Sequence, residues 1–188
     1  MTQHRTLTPG YAVVYPNREK ASSKLMKAIV ALILLVSVGL LLVLTIGGWS
    51  QLEGMKPINF IWCAAYLIIA FYIWGWARGM LPIAAGLAVL LLMIAVVAGL
   101  GLSGTSWFDR SHAGFAPAQS LFGGKGLSAD TLGTITLLLI PVQVLLIVFA
   151  MRAFAQGWNV EQEVPIDEAR RRGYNPPDSS PPPQPATA

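Results

Sequence analysis

Residues 80–102 read MLPIAAGLAVLLLMIAVVAGLGL and belong to an uncharged stretch spanning 79–108. Three more such stretches, 28–52, 57–77 and 131–151, contain no Asp, Glu, Lys, Arg or His. Each is long enough for a helix to cross a bilayer core, which takes about 20 residues at a rise of roughly 1.5 Å. A helix packed on a water-soluble core shows polar residues returning every turn. Here the apolar character runs all the way round, which suits lipid on one side and neighbouring helices on the other. The fold expected is all-α: an integral membrane bundle of four transmembrane helices with polar N- and C-terminal tails.

Composition agrees. Hydrophobic residues make up 54% of the 188 and charged residues 12%, about half the level of roughly 25% usual in soluble domains. The helices are expected near 26–47, 58–77, 82–102 and 132–154, within a transmembrane domain of 25–157. Residues 1–24 form a cytoplasmic N-terminal segment in which 11–15 is briefly extended. Residues 158–188 form a cytoplasmic tail, disordered by composition from about 175, where prolines crowd. An outer loop covers 103–130, with a turn or two of helix over 116–122. The short connection at Arg78 predicts that the second and third spans are antiparallel neighbours.

Charge sets the orientation. Arg5, Arg18, Lys20, Lys24, Lys27, Arg78, Arg152 and Arg170 to Arg172 fall on one side, against Lys56, Arg110 and Lys125 on the other. By the positive-inside rule both termini are cytoplasmic, in the cell (inner) membrane, with the long loop outside. Trp49, Trp62 and Trp107 then mark the outer interface, and Trp74, Trp76 and Trp158 the inner one. The net charge of +4 comes from residues flanking the spans, which argues for lipid headgroups and against nucleic acid. The first span follows a polar segment and exceeds the roughly 7–15 residues of a signal-peptide core, so it reads as a retained anchor.

Few side chains point to chemistry. Cys63 is the single cysteine, and His4 and His112 stand apart in sequence, so no catalytic residue, metal set or cofactor is expected. Gly123-Gly124-Lys125-Gly126 lacks the GxxxxGK[ST] spacing of a phosphate loop and reads as a flexible turn. Asp109, Arg110 and His112 form a polar group in the outer loop, read as a solvated turn. Thr134 and Thr136 are expected to bond back to their own helix.

Two features concern packing. Ala84, Ala88, Ala95 and Gly99 form a small-residue groove on the third span. Pro141 frees the carbonyl of Leu137, and Gln143 nearby requires a partner on another helix, because an unpaired amide in hydrocarbon costs several kcal/mol. Arg170, Arg171 and Arg172, together with Trp107 and Phe108, are candidates for contact with lipid or a partner. The spans lack the ionisable residues of ion-coupled transport. The function expected is therefore a non-catalytic accessory subunit or assembly factor, with the lipid bilayer and membrane-protein subunits as partners. The alternative is a small carrier or pore component for an uncharged or lipidic molecule, its cavity formed by Gln143, Tyr66, Tyr72 and Cys63.

Overall fold

The structure, a computed structural model, describes residues 10–52, 54–100, 107–108 and 118–174. The loop group Asp109, Arg110 and His112 and the tail from 175 lie outside the described residues. The chain is mostly helical, and four helices are long and apolar enough to cross a membrane: α2 (Ala21–Gly47), α3 (Met55–Trp74), α4 (Met80–Leu100) and α5 (Ala129–Ala155). A strand β1 (Tyr11–Val14) and a short helix α1 (Pro16–Glu19) precede them; a strand β2 (Gln162–Pro165) and a short helix α6 (Ile166–Arg171) follow.

Local chemistry sets the helix ends. Ser128 caps α5, its hydroxyl accepting from the Thr131 amide at 3.2 Å, which satisfies one of the orphan donors of a first turn. Pro57 sits in the first turn of α3, where its missing N–H costs nothing. Helix α3 ends early, at Trp74, because Trp76 has a left-handed φ of +67°. That conformation costs a non-glycine residue on the order of 1–3 kcal/mol and persists only where its surroundings hold it.

Packing departs from sequence order. Helix α2 lies against both α3 and α5, and α5 packs most extensively on α4, whereas α3 and α4 touch sparsely despite their short connection. They were expected to be antiparallel neighbours; they do touch, though far less than α4 and α5 do, and a gap lies between them. Shape explains the α4–α5 contact. Ala84, Ala88, Ala95 and Gly99 are all buried, and a Cβ on Gly99 would fall 2.8 Å from a methyl of Leu137 on α5.

At one end of the bundle the two tails are ordered together, adding a small sheet to the expected all-helical fold. β1 pairs antiparallel with β2, Tyr11 opposite Pro165 and Val14 opposite Gln162. Ala12 and Val14 face Val164 and Ala169 in a small apolar cluster. Arg18 donates from Nε to the Trp158 carbonyl at 3.2 Å and from Nη2 to Asn159 Oδ1 at 2.9 Å, and Asn17 donates to the Gly157 carbonyl. This clasp sits over Trp158. Trp158 is fully buried, edge-on to the Trp76 ring at 5.3 Å. Lys27 Nζ stands 4.1 Å from the Trp76 centroid, and Arg78 donates to the Phe154 carbonyl. Burial and the neighbouring Glu19 carboxylate push the Tyr174 phenol above its ordinary value. The neutral phenol is thus the form the fold favours: its contribution holds at every pH below the usual tyrosine range near 10 and is lost above it. A pH titration of clasp protection should be flat through neutrality.

At the opposite end, 118–127 doubles back as a tight hairpin. Gln119 bridges Lys125, Gly123 and Gly124 both take positive φ, and the Ser120 hydroxyl donates to the Gly123 carbonyl. The described part of the expected interfacial helix, 118–122, is therefore an arm of this turn, since consecutive left-handed glycines favour a hairpin. Gly126 lies against the end of α2: a Cβ there would sit 2.5 Å from the Gly47 carbonyl oxygen and 2.8 Å from the Ala118 carbonyl carbon. Both are backbone atoms that cannot swing aside. Gly126→Ala should therefore lift this hairpin, at roughly 1–2 kcal/mol, with faster proteolysis at 118–127 and helix content unchanged.

Candidate functional site

Two polar groupings lie within the helices. The first crosses the middle. Gln143 projects inward from α5 and is fully buried, whereas Pro141, two residues earlier, faces outward. Tyr66 on α3 donates its hydroxyl to Gln143 Oε1 at 2.8 Å, and Gln143 Nε2 donates to Ser37 Oγ on α2 at 3.0 Å. Ser37 in turn donates to the Ile33 carbonyl at 2.9 Å. One amide thus joins three helices, and each polar atom on the path has a partner, as low-dielectric surroundings demand. Leu34, Leu41, Leu139 and Leu146 pack around it, all but excluded from solvent.

The second grouping lies near the hairpin end. Asn59 on α3 donates from Nδ2 to Thr45 Oγ1 at 3.0 Å, and Thr45 donates back to the Leu41 carbonyl. Thr134 and Thr136 bond back to the carbonyls of Asp130 and Leu132, as expected. Beside Asn59 the gap between α3 and α4 opens into a cavity of about 420 Å³. Leu41 and Leu139 form its floor, Leu91 and Ala98 its α4 wall, and Asn59 and Thr136 its polar points. Among the described residues, none that lines it is ionisable. The cavity stops about one helical turn short of the Gln143 layer, since Leu139 and Leu41 lie four residues from Gln143 and Ser37.

The expected cavity set is distributed otherwise. Gln143 and Tyr66 are consumed by the central layer, Cys63 is buried with its sulfur 4.0 Å from the Val38 carbonyl, and Tyr72 faces outward. None of the four lines the cavity. Among the candidates for outside contact, Arg170, Arg171 and Arg172 are exposed, and Arg172 pairs with Glu168 one turn earlier on α6. Trp107 is 53% exposed, whereas Phe108 is 5% exposed and buried with Leu44, Leu52 and Leu132. Among the described residues no three His, Cys, Asp or Glu side chains come together as a metal site would require.

The chain matches no known family model, no curated protein and no solved structure. Its function must be argued from its own geometry. Sequence reasoning missed Asn59; the signal was available, since a carboxamide one turn inside an apolar helix needs a partner just as Gln143 does.

Proposed function

We propose that this chain is a multi-pass protein of the cell (inner) membrane, with both termini cytoplasmic, acting as a non-catalytic accessory subunit or assembly factor for a larger membrane complex. Four apolar helices support the membrane placement. Charge supports the orientation: Arg18, Lys20, Lys24, Lys27, Arg78, Arg152 and Arg170 to Arg172 gather at the clasp end, against Lys56 and Lys125 at the other, among the described residues. In this arrangement 10–24 and 158–174 are cytoplasmic, and 118–128 lies outside.

The observation that carries the accessory reading is the Tyr66–Gln143–Ser37 layer. Its polar atoms bond to one another across three helices, so they serve helix packing and leave a bundle whose outward faces are apolar. Phe71, at 76% exposure, and Trp74, Ile61 and Leu32 are among the large side chains those faces present, surfaces suited to lipid or to a partner's helices. The layer also weighs against a carrier: the cavity above it ends on leucines, which gives a place to bind rather than a path across.

Two experiments test this reading. In a Cys63→Ala background, Lys125→Cys should react with a membrane-impermeant maleimide on intact cells, and Arg171→Cys only after permeabilisation; the reverse pattern would overturn the orientation. Gentle detergent extraction of the tagged chain, followed by mass identification, should recover a stoichiometric membrane partner. Recovery of a lone oligomer that moves solute across liposomes would instead establish the carrier.

A further inference from the structure

We propose that the cavity between α3 and α4 is a binding site for a neutral lipid bearing one hydrogen-bonding head, entered sideways from the outer leaflet, with Asn59 holding the head. The proposal rests on the membrane placement above and goes beyond the accessory role. Three observations carry it.

The first is the lining. At about 420 Å³ the cavity is nearly three times the roughly 150 Å³ that encloses a benzene ring, and it falls within the usual range of ligand sites. With no ionisable residue among the described residues of its wall, it would penalise a charged headgroup and accept a hydrocarbon chain.

The second is Asn59. It is 8% exposed, hence more than nine-tenths buried, and it lines the cavity. One amide proton goes to Thr45 Oγ1; its carbonyl oxygen and second N–H have no further partner among the described residues. A hydroxyl can both donate to that oxygen and accept from that N–H. Thr136 offers no comparable donor, because its hydroxyl proton is committed to the Leu132 carbonyl.

The third is depth and access. Asn59 lies four residues inside the start of α3, about 6 Å from the helix end. Leu91 and Leu139, on the floor side, lie nine and ten residues from their helix ends, roughly 14–15 Å in and so near the middle of a 30 Å hydrocarbon slab. The cavity therefore occupies one leaflet. Phe108 and Leu52 close it toward the outer surface, and the sparse contact between α3 and α4 leaves the lateral side as the way in.

The full-length chain, reconstituted in phosphatidylcholine vesicles, would be irradiated with a mid-chain diazirine hexadecanol or with the matching diazirine palmitate, and the adducts mapped by peptide mass spectrometry. The alcohol should label α4 around Leu91 to Ala98 about tenfold more than palmitate does, while both label the outward α3 face near Phe71 equally. Ala98→Phe, which fills the cavity, should remove the cavity adducts and leave those near Phe71; Ile94→Trp at the mouth gives the same readout should the first variant fail to fold. Asn59→Leu should cut the alcohol's advantage over palmitate about fivefold. Equal labelling by alcohol and acid, or cavity adducts that survive both filling variants, would overturn the site while leaving the membrane placement intact. An unlabelled Phe71 face would overturn that placement, and the site with it.

Discussion

Trp158→Ala is expected to destabilise the protein by about 3–5 kcal/mol, the usual cost of deleting a buried large aromatic. Trp158 has no solvent exposure, abuts Trp76 edge-on at 5.3 Å, accepts from Arg18 Nε at its own carbonyl and follows Gly157, whose carbonyl accepts from Asn17. The loss should exceed simple cavity formation. Trp76 holds a left-handed backbone, and with Trp158 gone it loses the ring packed edge-on against it, keeping the Lys27 cation over its own ring and its N–H bond to the Ile73 carbonyl to oppose the strain. The α3–α4 turn and the clasp should loosen together. The measurement is unfolding in mixed micelles combined with limited proteolysis at 10–24 and 158–174. A loss below about 1 kcal/mol, with the tails still protected, would show that Trp158 is merely covered rather than load-sharing.

Gln143→Leu should cost about 1–3 kcal/mol, because it strands the buried Tyr66 hydroxyl. Ser37 keeps its bond to the Ile33 carbonyl, so the penalty falls on a single group. Adding Tyr66→Phe should therefore recover most of the loss, the double variant standing within about 1 kcal/mol of the parent, since removing both partners removes the desolvation debt as well. Failure of that rescue would mean that Gln143 stabilises by shape alone. Gln143→Lys should prevent correct insertion, at a cost of roughly 2.5–3.5 kcal/mol for a cation at mid-span.

Particular residues show what the sequence made legible. Span number and approximate limits follow from uninterrupted apolar runs, which no soluble packing would produce, and Gln143's need for a partner follows from its depth. The identity of that partner does not: Tyr66 and Ser37 lie on helices whose every face is apolar, so no stripe marks which sides meet. The same uniformity hid the packing order, in which α2 lies against both α3 and α5 while α3 and α4, joined by a short turn, touch sparsely. The β1–β2 pairing was hidden by brevity, since two four-residue segments far apart in sequence carry no long-range signal. The cavity lies where α3 and α4 touch sparsely, a matter of how whole helices pack rather than of any residue run, and only Asn59 hinted at it.

The antiparallel pairing of Tyr11 with Pro165 also sets an order of events during biosynthesis. Made at about 5–20 residues per second, the second strand emerges roughly 10–30 s after the first. In the proposed arrangement, with both ends cytoplasmic, Tyr11–Val14 is an unpaired edge throughout that interval while the spans are threaded in. Closure is thus a late event that reports on everything before it: a span inserted the wrong way round would carry one end to the opposite compartment and leave the two strands unable to meet. On that proposed topology a misthreaded chain would leave its one cytoplasmic end bare to proteases, whereas a correctly threaded one has both ends shut.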